Sequence, residues 1–393
     1  MICVYHLDRK HPFPSPSTTS SQPNRQQSRL VEFTVNILLF LLGLSALVIG
    51  AGLLVRGASR LALSFGISPL VVGLTIVAAG TSAPELVVSV SAVLGGNPDI
   101  AVGNVVGSNI FNVLFILGVA ALIVPLIVHA QIIRQEVPIM IGASLLLLVL
   151  GLDGKLSRID ATLLFGMLVG YTVFLIRQSR AETQATRAEY EEGVGSKSTW
   201  DAHWGIQLLL VAGGLALLLL GSNWLVTAAT VFAKALGVSD LVIGLTVVAA
   251  GTSMPEVATS VMAAIRGERD IAIGNVVGSC IFNILGVLGV SGLVAGDGLA
   301  VASALLNFDV WVMIAVALAC LPVFLADRQI TRGQGAVFLG YYTAYVAYLI
   351  LAAQQHTALP AFSSTMMGFV IPITIITLIV MIVRPKPAER WTK

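Results

Sequence analysis

Stretches of apolar residues long enough to cross a bilayer core as helices, about 20 residues each, recur along nearly the whole chain. They fall near residues 34–55, 69–95, 100–127, 137–152, 160–176, 205–226, 241–264, 271–295, 308–325, 335–352 and 365–383. This patterning predicts an all-α membrane protein with eleven transmembrane helices. Residues 1–30 interrupt it: they are polar, rich in Ser, Pro, Gln and Arg, lack the apolar stretch of a secretory signal, and read as a disordered tail. Residues 178–204, with Glu182, Glu189, Glu191, Glu192 and Lys197, form the one long charged stretch and read as a linker. The expected organisation is therefore a tail at 1–30, five helices over 31–177, the linker at 178–204, five more helices over 205–352, and an extra helix with a polar tail at 353–393.

Lys and Arg alternate unevenly between the two sides that these spans define. Segments 56–68, 128–136, the linker, 265–270, 326–334 and the C-terminal tail carry most of them; the opposite side keeps Lys155, Arg158 and Lys234 besides Arg9, Lys10, Arg25 and Arg29 of the tail. Positive loops stay cytoplasmic, so the linker and C-terminus are expected in the cytoplasm, the N-terminus outside, and the protein in a plasma or inner membrane.

Composition agrees. The chain of 393 residues is 56% hydrophobic and 11% charged, against roughly a quarter charged in an ordinary globular domain, which excludes a water-soluble fold. A net charge of +2 is too small to attract nucleic acid, leaving lipid and small ions as partners. No resident cofactor is expected, and the oligomeric state is not legible. Cys3, Cys280 and Cys320 lack metal-ligand spacing, and His6, His11, His129, His203 and His356 lie in loops and tails, which argues against zinc and other imidazole-seeking metals.

The chain repeats itself. GLTIVAAGTSAPELVVSV at 73–90 matches GLTVVAAGTSMPEVATSV at 244–261, and GNVVGSNIFNVLFILG at 103–118 matches GNVVGSCIFNILGVLG at 274–289, both with an offset of 171 residues. The first copy begins in the second span and its partner in the seventh. Five spans is an odd number, so the two copies enter the membrane from opposite sides, the inverted arrangement that places a transport site near the midplane between two halves.

Chemistry concentrates in these copies. Glu85 and Glu256 each lie in the middle of an apolar helix, where a carboxylate costs roughly 2.5–3.5 kcal/mol. One such residue could be a hydrogen-bonded interface glutamate; two at equivalent positions point to function. Each follows a break, Gly80-Thr81-Ser82-Ala83-Pro84 or Gly251-Thr252-Ser253-Met254-Pro255. Proline removes an amide donor, so carbonyls near Ala78 and Ala249 are expected to be left free for a cation, although a simple kink with the Thr and Ser hydroxyls satisfying the backbone is the plainer alternative. Carboxylates, hydroxyls and bare carbonyls are the hard oxygen donors that Ca²⁺ and Na⁺ prefer. In the second motif, Gly103-Asn104-Val105-Val106-Gly107-Ser108 and Gly274 to Ser279, the GxxxG spacing reads as helix packing. Ser108 with Asn112, and Ser279 with Asn283, stand four residues apart on one helix face and could either complete the site or bond between helices.

GTSAPE with GNVVGSNIFN, and GTSMPE with GNVVGSCIFN, resemble the paired alpha-repeats of the sodium/calcium exchanger family, within the cation/calcium exchanger superfamily. The likeness covers about 46 residues in each half and the helix pattern to about residue 352; the eleventh helix and the N-terminal tail lie outside it. It implies a ten-helix core of two inverted five-helix repeats. The broken second and seventh helices would cross the third and eighth, with alternating access by sliding of the first and sixth. Position by position, it implies Glu85 and Glu256 as chief Ca²⁺ ligands, with further oxygens from Thr81, Ser82, Thr252, Ser253 and the Ala78 and Ala249 carbonyls. Ser108, Asn112, Ser279 and Asn283 would serve Na⁺.

Several exchangers carry an aspartate where this chain has Asn112 or Asn283. Two formal negatives remain, enough to balance one Ca²⁺ or two Na⁺, while a third Na⁺ would leave an uncompensated charge in a low-dielectric site. K⁺ dependence, which in relatives accompanies that aspartate, is not expected. The resulting expectation is a secondary active antiporter exchanging Ca²⁺ for Na⁺, with Ca²⁺/H⁺ antiport as the alternative because a buried carboxyl can also carry a proton. Ion channels more often assemble rings of identical subunits. A hydrolase would need a nucleophile with its base, or a metal-bound water, and no His or Cys lies near the glutamates in sequence; an enzyme is not expected.

Overall fold

The structure, a computed structural model, describes residues 22–180, 203–236 and 249–383. Residues 1–21 of the polar tail, 181–202 of the linker, 237–248 of the seventh apolar segment and 384–393 of the C-terminal tail lie outside the described residues.

The described chain is helical almost throughout. In order it forms α1 (Gln22–Phe65), α2 (Pro69–Thr81), α3 (Ala83–Leu94), α4 (Pro98–Ile123), α5 (Ile132–Gly151), α6 (Arg158–Ser179) and α7 (Trp204–Ala235). The short α8 (Ala249–Thr252) follows, then α9 (Met254–Ile265), α10 (Arg269–Val294), α11 (Leu305–Ala326), α12 (Arg332–Ala353) and α13 (Leu359–Val383). Among the described residues nine helices are long and apolar enough to span a membrane, ten when the bent pair α2 and α3 counts as one. Local signals start several of them. Ser68 accepts from the Val71 amide ahead of Pro69, and Thr331 with Gln334 forms a reciprocal capping box at α12.

One boundary differs from the polarity of the sequence. The helix begins at Gln22, inside the stretch 1–30 that composition assigns to a disordered tail. Once an apolar helix is nucleated, each added residue gains a backbone hydrogen bond, and the Gln and Arg residues of 22–29 propagate helix well.

Helices α1 to α6 and α7 to α12 form two inverted five-helix repeats, with α13 added at the end. Two short antiparallel ribbons tie the halves together: β1 (Leu126–Ile127) pairs β4 (Gln329–Ile330), and β2 (Lys155–Leu156) pairs β3 (Leu299–Ala300). Since α5 runs from β1 to β2, the ribbons lie at opposite ends of the spans. Burial marks the centre: 94% of the most apolar window of α10 and 72% of that of α4 is buried, against 6% in α12 and 0% in α13. The two crossing helices are thus the core, and α12 and α13 its exposed edge.

Helices α1 and α7 pair closely because glycines meet along their seam. A Cβ on Gly50 would stand 2.8 Å from the Gly214 carbonyl oxygen, and one on Gly43 2.8 Å from that of Gly221. Gly214 and Gly221 are the repeat equivalents of Gly43 and Gly50, so the seam reads the same from either helix, in the manner of small-residue contacts between membrane helices. Gly214→Ala puts a methyl 2.6 Å from the Leu54 amide, whereas Gly213→Ala meets nothing within 4 Å. The expected outcome is a loss of about 1–3 kcal/mol for the first and none for the second, read as melting temperatures of the purified protein in detergent.

Candidate functional site

Both glutamate helices are broken in the same way. Ser82, at φ −82° and ψ 10°, separates α2 from α3, which are bent by 43°, and Ser253, at φ −89° and ψ 9°, separates α8 from α9. Pro84 and Pro255 lie in the first turns that follow, where a missing amide costs least. The glutamates one residue later are therefore carried in the first turn of a new helix, near its positive end.

The expectation that the Ala78 carbonyl is left free is corrected by this geometry. Ala78 accepts from the Ser82 amide at 3.0 Å and from the Thr81 hydroxyl at 3.3 Å. A proline removes the bond to the residue four positions before it, so the carbonyls that Pro84 and Pro255 deprive of a partner are those of Gly80 and Gly251. In the second copy the Ser222 hydroxyl of α7 donates to the Gly251 carbonyl at 2.6 Å. The equivalent Ala249 opens α8.

The site is crossed. Ser82 donates to Glu256 Oε1 at 2.8 Å, and Ser253 donates to Glu85 Oε1 at 2.7 Å, so the break in each repeat holds the carboxylate of the other. Thr252 is also directed to Glu85. Ser108 of α4 lies 3.5 Å from Ser253, which brings the second motif to the same place. Glu85 is 1% exposed and Glu256 0%. Each keeps its Oε2 buried and unpartnered, and Ser279 Oγ, Asn283 Oδ1 and both carboxamide atoms of Asn112 are likewise buried without a hydrogen bond. Buried polar atoms are normally satisfied, and a cluster of orphaned oxygens around two carboxylates has the donor chemistry of a hard-cation site. Among the described residues no group of three or more His, Cys, Asp or Glu gathers.

Other members of the site escaped the sequence reading. Asn104 Nδ2 donates to Ser89 Oγ at 3.0 Å and to the Glu85 carbonyl at 3.2 Å. Its equivalent Asn275 donates to Ser260 Oγ at 2.9 Å and the Glu256 carbonyl at 3.4 Å, and accepts from Thr81 at 3.0 Å. These asparagines, in a motif assigned to packing, pin each glutamate helix to its crossing helix. The signal was present: a serine stands four residues after each glutamate, and an asparagine recurs in both copies. A second repeat-related pair of carboxylates lies away from the centre. Glu136 accepts from Tyr171 at 2.5 Å, Gln131 at 2.9 Å and Gln135 at 2.8 Å, and Asp309 accepts from Tyr345 at 2.7 Å. With donors on all sides, Glu136 is a brace between α5 and α6.

This arrangement has relatives. The family model described as sodium/calcium exchanger protein matches residues 35–177 and 206–351. The chain belongs to the sodium/calcium exchanger family. It is similar to the sodium/calcium exchanger MaX1 of Methanosarcina acetivorans, 36% identical over 80% of this chain and 99% of that one. It also resembles the putative antiporter CaxA of Alkalimonas amylolytica, 39% identical over 63% of this chain and 77% of that protein, and the inner membrane protein YrbG of Escherichia coli K12, 36% identical over 62% and 74%. Among solved structures it is similar to the sodium-calcium exchanger NCX_Mj soaked with 10 mM Na⁺ and zero Ca²⁺, with a TM-score of 0.68, 32% identity, and coverage of 80% of this chain and 99% of that one. The chain is thus an integral multi-pass membrane transporter of the cation and Ca²⁺ antiporter class, and not an enzyme.

If Asn275 positions Glu256, Asn275→Leu leaves the Glu256 carbonyl, Ser260 and Thr81 without their shared partner. A loss of about 1–3 kcal/mol is expected in the apparent binding energy for Ca²⁺, read from the Ca²⁺ dependence of isotope uptake, with expression and elution profile unchanged.

Proposed function

We propose that this protein moves Ca²⁺ across a membrane in exchange for Na⁺, using one site at which the two ions compete. The observation that carries the reading is the crossed pair of buried glutamates, each with one carboxylate oxygen left open. Ca²⁺ takes six to eight oxygen ligands. Glu85 and Glu256 would supply the charge that neutralises it, and Thr81, Ser82, Thr252 and Ser253 the hydroxyl oxygens around it. Na⁺ would use the same carboxylates together with Ser108, Asn112, Ser279 and Asn283. The similarity to MaX1, a sodium/calcium exchanger, and to NCX_Mj, a sodium-calcium exchanger whose structure was solved with Na⁺, supports the choice of ions.

Exchange follows from the energetics of an empty site. Two carboxylates facing each other in a low-dielectric interior repel and lack solvation, so the unloaded protein is disfavoured in the intermediate that carries the site across. Loading with either ion removes that penalty, which couples one flux to the other. The moving part is the α1 and α7 pair, whose glycine seam lets the two helices travel together past α9 and the broken helices. With Asn112 and Asn283 both neutral, no third carboxylate is available at these positions, and K⁺ is not required. The linker and C-terminus face the cytoplasm and the N-terminus the opposite side, following the distribution of Lys and Arg.

The test is ⁴⁵Ca²⁺ uptake into proteoliposomes loaded with Na⁺ and diluted into Na⁺-free buffer, beside a set carrying only a pH gradient. Uptake in the first set is expected. Uptake driven by the pH gradient alone would make the protein a Ca²⁺/H⁺ antiporter. Glu85→Gln and Glu256→Gln each remove half of the site's negative charge, and in both variants uptake is expected to fall to the level of empty liposomes while the protein elutes as the wild type.

A further inference from the structure

The two halves of the site are not equivalent, and the difference arises at one position. Asn109 and Cys280 are repeat partners, 171 residues apart, and they face each other. Asn109 Nδ2 donates to the Cys280 main-chain carbonyl at 3.1 Å, and the Cys280 thiol lies 3.9 Å from the Asn109 carbonyl. A main-chain carbonyl only accepts, so Asn109 must present its amide nitrogen there. Its Oδ1 is then turned to Asn283, whose Nδ2 donates to it at 3.1 Å. Asn283 spends its nitrogen in that bond and is left with Oδ1 buried and open. The order of atoms is dictated from the backbone outward through two carboxamides.

In the other half the relay runs through sulfur, a weaker donor and acceptor than a carboxamide. The residue equivalent to Asn109 is Cys280, which interacts with Asn112 through a thiol in place of a carboxamide. Asn112 is 1% exposed and its Nδ2 and Oδ1 make no hydrogen bond of ordinary geometry, so the weakly bonding thiol is what orients its carboxamide.

We infer that Asn109 is a positioning residue. It holds Asn283 with its oxygen toward the cation, whereas Asn112 is held only by the weaker bond to a thiol, so the two repeat-related Na⁺ positions are unequal and the one at Asn283 is the tighter. The inference rests on the reading of the site as one that exchanges Na⁺ for Ca²⁺. Asn109 makes no contact with the ion in this account and acts only through Asn283.

The experiment is the Na⁺ and Ca²⁺ dependence of ⁴⁵Ca²⁺ uptake in proteoliposomes for four proteins: wild type, Asn109→Leu, Asn283→Ala and the double variant. Asn109→Leu keeps the volume and deletes the bonds to Cys280 and Asn283 together with a weak contact to Met313 Sδ. It is expected to raise the Na⁺ half-saturation about fivefold, the equivalent of one neutral hydrogen bond, and to move the Ca²⁺ half-saturation by less than about twofold. Added to Asn283→Ala it should change nothing more, since residues acting in one relay are non-additive. Asn109→Cys installs the side chain its repeat partner already carries, and it should give the same rise should leucine not be accommodated. A wild-type Na⁺ dependence in the Asn109 variants, an equal loss for both ions, or an additive effect on Asn283→Ala would each overturn the relay. Absence of Na⁺-driven uptake in the wild type would instead remove the exchange reading, and this inference with it.

Discussion

The two hydrogen bonds from Ser82 to Glu256 and from Ser253 to Glu85 are the contacts on which the rest of the architecture depends. A carboxylate inside a membrane protein needs donors or a counter-ion, and here each repeat supplies the donor for the other. That exchange requires both breaks to lie at one depth. It requires α4 and α10 to cross where the breaks meet, and the halves to be inverted so that equivalent residues converge. Asn104 and Asn275 serve the same end, fastening the new first turn after each proline to the crossing helix. One oxygen of each carboxylate is satisfied by protein, and the other is buried without a partner.

Much of this was legible because a repeat in sequence is a repeat in space. The constant offset of 171 residues and the odd number of spans between copies predict inversion without any coordinates, and a glutamate in an apolar helix is conspicuous by its cost. What was not legible depends on contacts between distant segments. That Ser82 serves Glu256 and not its own Glu85 follows from the bend at Ser82, which the motif alone does not specify. The role of Asn104 and Asn275 was hidden by the glycines beside them, which also suit close packing. Glu136 and Asp309 escaped because the loops between repeats differ in length, so their offset is 173 rather than 171. The Ala78 carbonyl is closed by the Ser82 amide because the bond a proline removes belongs to the residue four before it, Gly80 for Pro84. At the amino end, polar composition masked a helix that needs no apolar face of its own once the apolar turn that follows it exists.

Inverted symmetry is useful to a transporter because the two faces of the membrane then see nearly the same structure, and the repeat pair α1 and α7 can take up two arrangements of comparable energy. The glycine seam keeps that pair a unit. Departures from symmetry carry the specific chemistry. Asn109 stands opposite Cys280, and Ser222, whose equivalent in α1 is Ala51, donates to the Gly251 carbonyl of the second repeat.

The central claim is that Ca²⁺ and Na⁺ occupy one pair of carboxylates in mutual exclusion. Equilibrium binding of ⁴⁵Ca²⁺ to the purified protein in detergent, titrated with Na⁺ at constant ionic strength, tests it most directly. The account predicts saturable Ca²⁺ binding that Na⁺ displaces completely and that a variant carrying both Glu85→Gln and Glu256→Gln lacks. Ca²⁺ binding that survives saturating Na⁺, or that persists in that variant, would contradict it.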